Sequence, residues 1–199
     1  MHSIPNRFLA AGPATVVVFW ATLFLCATRF AGYDHLVNMV SELGAVGTPT
    51  RVGFAVGLVL AGALSIVFVM GLVAACRGRG LNPAPAWVIL AYSFSIAGAG
   101  IFPMPTPLHG SFSFPAIGVL LSPLLALVLW RDVKGLVPGA VLSLVAFGLG
   151  FLVFADGFMG GQFGLKQRFF HLGWSVWFVY LAWGFGKGEA RASGEHKTT

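Results

Sequence analysis

The sequence predicts an all-α fold, a polytopic transmembrane bundle of six helices with a short outer interfacial helix between the first two. Its 199 residues are 57% hydrophobic and only 9% charged, whereas soluble globular chains carry about 25% charged residues. The apolar residues form six runs that each approach the ~20 residues needed to cross a bilayer as a helix. Asp, Glu, Lys and Arg are absent from the middles of these runs. We therefore expect an integral, multi-pass membrane protein.

The six predicted spans follow each other through short connections. They cover residues 8–28, 52–76, 85–102, 114–130, 136–155 and 169–185. No polar linker long enough to separate two domains occurs before the final residues of the sequence. We therefore predict a single transmembrane bundle over residues 1–185. The polar, small-residue segment 186–199 is predicted to be a disordered cytoplasmic tail.

Basic residues are distributed unequally between the two ends of this bundle. One end holds eight of them, namely Arg7, Arg77, Arg79, Arg131, Lys134, Lys187, Arg191 and Lys197. The opposite end holds four, namely Arg29, Arg51, Lys166 and Arg168. Because Lys and Arg concentrate in cytoplasmic loops, we predict a protein of the cell membrane with both termini in the cytoplasm. The connections after the first, third and fifth spans then face outward.

The first outer connection, YDHLVNMVSELGAVGTP (residues 33–49), groups several polar and ionisable side chains in an otherwise apolar chain. Asp34 is a suitable N-cap residue for a short helix, and Gly44 is a suitable stop. With helical spacing, the apolar side chains occupy one stripe, while Asp34, Asn38 and Glu42 lie on another. The pattern predicts an amphipathic helix that lies along the outer membrane surface.

The other two outer connections supply further candidate side chains. IFPMPTPLHGSFSFP places His109 after three closely spaced prolines, which fix φ and favour a stiff, extended loop. ADGFMGGQFGLKQRFFH contains Asp156, Gln167, Arg168 and His171. Gln167 and His171 are four residues apart and would share a helix face. His171 would lie about one turn inside the sixth span, where a titratable group usually faces the bundle interior.

Together these connections define one predicted extracytoplasmic polar cluster. Its members are Asp34, His35, Glu42, His109, Asp156, Gln167, Arg168 and His171. We predict that Glu42 and Arg168 lie within salt-bridge reach, directly or through one water. The sequence assigns no catalytic residue, no metal ligand and no cofactor to this cluster.

Several short motifs resemble those of a known family. NMVSELGAVGTP after the first span resembles the SELGA-type signature of the domain-of-unknown-function-998 membrane family. FPMPTPLHG after the third span and KQR at the start of the last are similar to segments of the same family. The resemblance covers nearly the whole chain. It implies a small polytopic membrane protein and supplies no activity, so it assigns no catalytic role to any residue.

Three functions are compatible with the polar cluster. The favoured one is an accessory or scaffold membrane subunit, in which the polar groups pair with each other, with water and with lipid head groups. The second is a lipid or small-molecule binder or transporter, although charge-coupled transport usually requires an ionisable residue near the bilayer midplane. The third is an outer-leaflet hydrolase, in which His109, His171 and a carboxylate bind zinc or exchange protons. The sequence alone does not decide whether the protein is an enzyme.

The predicted partners are membrane lipids and other membrane subunits. The net charge of +6 comes from basic residues scattered through the connections. That distribution is typical of a topology signal and does not indicate a nucleic-acid surface. Bis-histidine haem is disfavoured because only His171 is predicted to lie well inside a helix.

Overall fold

The computed structural model describes residues 6–133, 135–155 and 157–195, and the regular elements in these residues are all helical. The α-helices are α1 (Asn6–Ala27), α2 (Arg51–Gly78), α3 (Ala84–Ile101), α4 (Pro107–Ser113), α5 (Leu121–Leu129), α6 (Leu136–Phe151) and α7 (Phe163–Glu195). The 3-10 helices are Val40–Gly44, Phe114–Leu120 and Leu152–Phe154.

These helices make six passes through the bundle. α1, α2 and α3 are each long and apolar enough to cross a membrane, and so is the continuous helical segment Pro107–Leu129. That segment contains α4, the 3-10 helix Phe114–Leu120 and α5. α6 is a shorter apolar helix, and α7 makes the last pass. The predicted all-α, six-helix membrane bundle is therefore confirmed.

The outer surface of the bundle is apolar. Val17, Val52 and Val128 are 66%, 74% and 70% exposed, respectively. In a water-soluble protein such side chains would face inward, but lipid acyl chains are as apolar as the side chains themselves. Exposure of aliphatic residues on helix after helix is therefore the expected lipid-facing surface of a multi-pass membrane protein.

Helix α7 packs mainly against α6 and α1, with one face buried. Its side chains Trp174 and Trp177 are fully buried. Trp177 donates from Nε1 to the Ser122 hydroxyl of α5 at 2.8 Å. The ring centroid of Trp174 lies 4.9 Å from the ring centroid of Tyr92 on α3. On the opposite face of α7, Leu172 and Val179 are each 44% exposed, so this helix has one buried face and one lipid-facing stripe.

The first connection differs from the predicted amphipathic α-helix. The short helix expected there is confirmed only as the 3-10 helix Val40–Gly44. Asp34 does not cap a helix, because its Oδ1 accepts a hydrogen bond from the Leu36 amide at 2.8 Å within a turn. The Asn38 side chain likewise accepts from the Asp34 amide at 2.8 Å. Local side-chain bonds of this kind compete with helix formation.

Two later helices begin earlier than predicted. The fourth pass starts at Pro107, since proline is well tolerated at the first position of a helix. His109 therefore lies on a helix, and the expected extended loop around it is wrong. α7 starts at Phe163, which places Gln167 and Arg168 on the same helix as His171. The predicted boundary between bundle and tail at residue 186 stays a prediction.

Candidate functional site

The three connections predicted to face outward meet at one end of the bundle. The amide of Val46, in the first connection, donates to the carbonyl of Met104, which follows α3, at 2.8 Å. The amide of Gly164, at the start of α7, donates to the carbonyl of Val37 at 3.1 Å. The first connection is thus hydrogen-bonded through its backbone to both of the others.

Arg168 is the centre of the first of two polar sites at this end. We name it the arginine cluster and define it as Tyr33, His35, Asn38, Glu42, Gly164 and Arg168. The Nη1 of Arg168 donates to the carbonyls of Asn38 and Gly164 at 3.1 and 2.8 Å. Its Nη2 donates to the Tyr33 hydroxyl at 2.8 Å and to His35 Nδ1 at 2.9 Å. The buried Nε has no partner among the described residues.

Glu42 joins the arginine cluster through Asn38. Its Oε2 accepts from Asn38 Nδ2 at 2.7 Å, and its Oε1 accepts from the Met39 amide at 2.7 Å. Over the described ranges, no ion pair within 4.0 Å links Glu42 to Arg168. The direct contact predicted between them is therefore wrong, and the alternative contact through one water stays a prediction. Asn38 connects the two residues. Its backbone carbonyl accepts from the Arg168 guanidinium, and its side-chain amide donates to the Glu42 carboxylate.

The arginine cluster shifts the pKa of two of its members. Burial raises the pKa of Tyr33, and the Arg168 charge opposes that shift. Burial and then the Arg168 charge lower the pKa of His35, while Asp34 opposes them. Burial disfavours the charged form of each side chain, the phenolate of Tyr33 and the imidazolium of His35, and the guanidinium also disfavours a second positive charge on His35. Since arginine only donates hydrogen bonds, His35 accepts through Nδ1.

The second site is a partly open, largely apolar cavity of about 410 Å³ near the same end of the bundle. Its walls are mainly aromatic and aliphatic and include Phe19, Phe54, Ile96, Phe151 and Phe170. These residues come from α1, α2, α3, α6 and α7. Pockets that hold small apolar ligands typically have volumes of about 300–1,000 Å³ and this kind of lining.

Three residues that line the cavity keep a buried polar atom with no hydrogen-bond partner in the described part of the chain. These atoms are the Tyr92 hydroxyl, Ser113 Oγ and His171 Nε2. Buried polar atoms are normally paired, because leaving one unpaired costs about 1–3 kcal/mol. These three residues therefore combine a place in the cavity wall with hydrogen-bonding capacity that the described part of the chain leaves unused.

His171 is held in a defined orientation by its neighbours. Trp174 donates from Nε1 to His171 Nδ1 at 3.1 Å, and the Phe19 ring centroid lies 4.6 Å from the imidazole centroid. Ser175 donates to the His171 carbonyl at 2.7 Å and accepts from Trp20 Nε1 at 3.0 Å. These contacts leave Nε2 as the unpaired nitrogen of the ring.

His109 and Gln167 also line the cavity, but each is anchored to the backbone. His109 donates from Nδ1 to the Phe102 carbonyl at 2.7 Å. Gln167 accepts through Oε1 from the Val40 amide at 2.7 Å. Consecutive helical residues point about 100° apart. That angle explains why Gln167 lies at the cavity while Arg168, its neighbour, belongs to the arginine cluster.

The single cluster predicted from the sequence is therefore divided between two sites. The arginine cluster takes His35, Glu42 and Arg168. The cavity takes His109, Gln167 and His171. Asp34 is exposed and belongs to neither site, and Asp156 lies outside the described residues.

Metal binding finds no support in the described residues. They contain no group of three or more His, Cys, Asp or Glu side chains that could hold a metal ion. Both carboxylate oxygens of Glu42 already accept hydrogen bonds from the protein. The histidines and carboxylate of the zinc-hydrolase hypothesis thus do not converge on one point.

Sequence reasoning missed Tyr33, Tyr92 and Ser113 as members of the two sites. A signal was available for Tyr92, because it lies inside an apolar span where no water can satisfy its hydroxyl. Tyr33 and Ser113 carry no comparable signal. Their roles depend on which helix packs against each of them.

Comparison with known proteins agrees with the motif resemblance. The family model described as "Protein of unknown function (DUF998)" matches residues 13–184. No curated protein and no solved structure matches the chain. The matched range extends from α1 into α7 and contains both the arginine cluster and the cavity. Since the match covers well over half of its length, the chain belongs to the DUF998 family.

Proposed function

We propose that this membrane protein binds a predominantly apolar, lipid-like ligand in the cavity beside α7. One observation carries the proposal: an apolar cavity is lined by residues that keep unpartnered polar atoms. Tyr92, Ser113 and His171 each supply one such atom. A ligand with an apolar body and a small polar group fits both features, because its body packs on the walls and its polar group pairs with these atoms.

The membrane environment makes the polar atoms important for selectivity. Burying an apolar surface in a protein cavity gains little over leaving it among lipid chains, because both surroundings are apolar. Affinity for one lipid over bulk lipid must then come from close packing and from hydrogen bonds. The aromatic walls, with Phe19 and Phe170 among them, supply the packing surface.

The cavity favours a binding role over the accessory or scaffold role predicted from the sequence. A scaffold would have polar groups that satisfy one another, and the arginine cluster fits that description except at the buried Arg168 Nε, which has no partner among the described residues. The cavity does not, because three of its lining residues lack partners for buried atoms in the described part of the chain. The scaffold role and an association with other membrane subunits stay predictions.

We also propose that the cavity lies toward the outer face of the cell membrane. The unequal distribution of basic residues supports this orientation, with both termini in the cytoplasm. A tag on the C-terminus should then be inaccessible to protease in intact cells and accessible after lysis. A tag cleaved in intact cells would contradict the orientation without affecting the binding proposal.

Co-purification of a ligand tests the binding proposal directly. Native mass spectrometry of the protein extracted from membranes should show a retained lipid-like adduct. Ala99 lines the cavity on α3, so Ala99→Phe should fill part of it and lower adduct occupancy by about tenfold. Ala91 is exposed on the same helix and does not line the cavity, so Ala91→Phe is the matched control.

The two variants separate loss of the cavity from loss of the fold. Ala99→Phe should retain the helical circular dichroism spectrum and the monodisperse elution of the wild type. Equal adduct occupancy in wild type, Ala99→Phe and Ala91→Phe would show that the adduct binds elsewhere. Absence of any adduct from the wild type, together with no response to added lipids, would contradict the proposed function.

A further inference from the structure

We infer that the ligand in the cavity presents an uncharged oxygen that accepts hydrogen bonds, such as a carbonyl oxygen, to donors on three helices. This inference rests on the proposed function and specifies its ligand class. It follows from the hydrogen-bonding capacity of the three unpartnered atoms and from the lack of Lys, Arg, Asp and Glu among the described residues that line the cavity.

The tautomer of His171 identifies its free nitrogen as a donor. Trp174 Nε1 carries a hydrogen and has no lone pair to offer, so it only donates. It lies 3.1 Å from His171 Nδ1, which must therefore be the accepting, unprotonated nitrogen. A neutral imidazole in that state carries its proton on Nε2. The unpartnered Nε2–H of His171 is therefore a hydrogen-bond donor that lacks an acceptor in the described part of the chain.

The two unpartnered hydroxyls have compatible chemistry. Tyr92 lies on α3 and Ser113 ends α4, so together with His171 on α7 they place three cavity-lining residues on three helices. Each hydroxyl can donate one hydrogen bond. A carbonyl oxygen has two lone pairs and can accept more than one of these donors. One ligand group of this kind can therefore satisfy several buried atoms.

The charge of the wall excludes strongly charged head groups. Among the described residues, none of those that line the cavity is Lys, Arg, Asp or Glu. A carboxylate, phosphate or ammonium group would then be buried without a counter-ion, which costs several kcal/mol per ion. The Arg168 guanidinium at the same end of the bundle already donates from its Nη atoms to four protein acceptors and keeps only its buried Nε unpartnered among the described residues.

Matched probes that each carry one long hydrocarbon chain test the inference. Purified protein depleted of lipid would be heated in detergent with methyl palmitate, with hexadecane, or with palmitate at about pH 8, where the carboxylate is ionised. Methyl palmitate should raise the unfolding midpoint in a saturable manner. Hexadecane, which lacks an acceptor, and palmitate, which is charged, should each bind at least about tenfold more weakly.

Volume-conserving variants test which atoms form the contact. Tyr92→Phe and Ser113→Ala should each weaken methyl palmitate binding by about fivefold and leave hexadecane binding within about twofold. Ser143 donates to the Gly173 carbonyl and does not line the cavity, so Ser143→Ala is the control for removing a hydroxyl. It should leave both affinities within about twofold.

The outcomes distinguish this inference from the proposed function. Equal binding of hexadecane and methyl palmitate, or tighter binding of palmitate, would overturn the acceptor inference while the binding function stood. Unchanged affinity in both hydroxyl variants would also overturn it. If neither probe bound and no lipid co-purified, the proposed function itself would fail. The same measurement with decylubiquinone compares a quinone carbonyl with an acyl ester, and the probe that binds more tightly indicates which type of carbonyl the cavity prefers.

Discussion

The arginine cluster and the cavity lie at the same end of the bundle, yet most polar atoms of the cluster are paired within the protein, with the buried Arg168 Nε as an exception. Arg168 directs four hydrogen bonds to acceptors supplied by the protein. At the cavity, Tyr92, Ser113 and His171 keep buried atoms with no partner among the described residues. Neighbouring positions on one helix, Gln167 and Arg168, contribute to the two different sites.

The difference shows why a concentration of polar residues is a poor guide to a binding site. A polar group that is already paired contributes to the fold, because removing it leaves its partner unsatisfied. A polar group without a partner contributes little to the fold and offers a hydrogen bond to a ligand. The four predictions below test this distinction, from the largest expected effect to the smallest.

Removal of Arg168 should produce the largest loss of stability. Arg168→Met deletes the donor to the Tyr33 hydroxyl, His35 Nδ1 and the Asn38 carbonyl. We expect the free energy of unfolding in detergent to fall by about 3 kcal/mol, because hydrogen bonds to a charged group contribute about 1.5–3 kcal/mol each and part is recovered from solvent. Thermal and denaturant unfolding of the purified protein measure the loss.

The control for this variant is Arg131→Met. Arg131 and Asp132 form an exposed pair at 3.9 Å, with side chains that are 79% and 91% exposed. Exposed pairs contribute about 0–1 kcal/mol, so this variant should resemble the wild type. If both arginine variants were equally stable, the arginine cluster would not have the structural role assigned to it.

Gly164→Ala should separate the first connection from α7. A Cβ at Gly164 would overlap the Asn38 carbonyl oxygen and lie 2.8 Å from the His35 carbonyl oxygen. Both are backbone atoms that cannot rotate away, so we expect a loss of about 1–3 kcal/mol. Hydrogen exchange of residues 33–49 should accelerate. Gly148→Ala is the control, because the added Cβ would have open space around it. Its free energy of unfolding should rise by up to about 1 kcal/mol. A loss as large as that of Gly164→Ala would show that the effect is not specific to the contact with the first connection.

Tyr92 and Ser93 are adjacent on α3, and removing their hydroxyls compares the stability contributed by an unpaired and a paired hydroxyl. Tyr92→Phe removes a hydroxyl that has no partner and should leave ligand-free stability unchanged or raise it by about 1 kcal/mol. Ser93→Ala removes a hydroxyl that lies 2.7 Å from Ser65 Oγ and donates to the Ile89 carbonyl at 3.0 Å. We expect it to cost about 1 kcal/mol. The unfolding midpoints of the two lipid-depleted variants measure these effects. A larger loss of stability in Tyr92→Phe than in Ser93→Ala would refute the distinction between paired and unpaired hydroxyls.

The pH dependence contributed by His35 should be the smallest effect. Its pKa in the folded protein lies below the usual value of 6.5, so the unfolded chain binds the proton more readily. Stability is therefore unaffected well above pH 6.5 and is lost as pH falls below that value. Physically, protonation of Nδ1 would remove the acceptor that Arg168 uses.

His35→Asn isolates this contribution because its side-chain oxygen can still accept from Arg168 but does not titrate near neutral pH. Between about pH 7 and 5, the wild type should lose more stability than the variant. Parallel pH profiles of the two proteins would instead indicate that His35 has the same pKa in the folded and unfolded chains, so that its environment in the arginine cluster does not shift it.

Much of the fold was predictable because a bilayer requires it. Six apolar runs with no charged residue in the middle must be helical, since unsatisfied backbone groups are too costly in hydrocarbon. Local hydrogen bonding limited the prediction elsewhere. The polar stripe of Asp34, Asn38 and Glu42 fits a helix, but these side chains bond to nearby backbone amides and to each other instead. The proline at Pro107 starts a helix rather than preventing one.

The candidate residues were predictable as a group but not as two sites. His171, Gln167 and Arg168 were selected because polar side chains at the edge of a span are rare. Which of them is satisfied depends on Tyr33, Asn38 and Phe19, which come from distant parts of the chain. Pairing of this kind cannot be read from spacing along one helix.

The sequence by itself determined that the chain crosses a membrane as a helical bundle, because hydrophobicity and length decide that outcome one segment at a time. It also determined that polar side chains gather in three connections. The tertiary structure alone decided that Arg168 bonds to four acceptors while Tyr92, Ser113 and His171 keep unpartnered atoms beside an apolar cavity. The physical reason is that hydrogen-bond satisfaction depends on distances of a few tenths of an ångström between helices, and packing sets those distances.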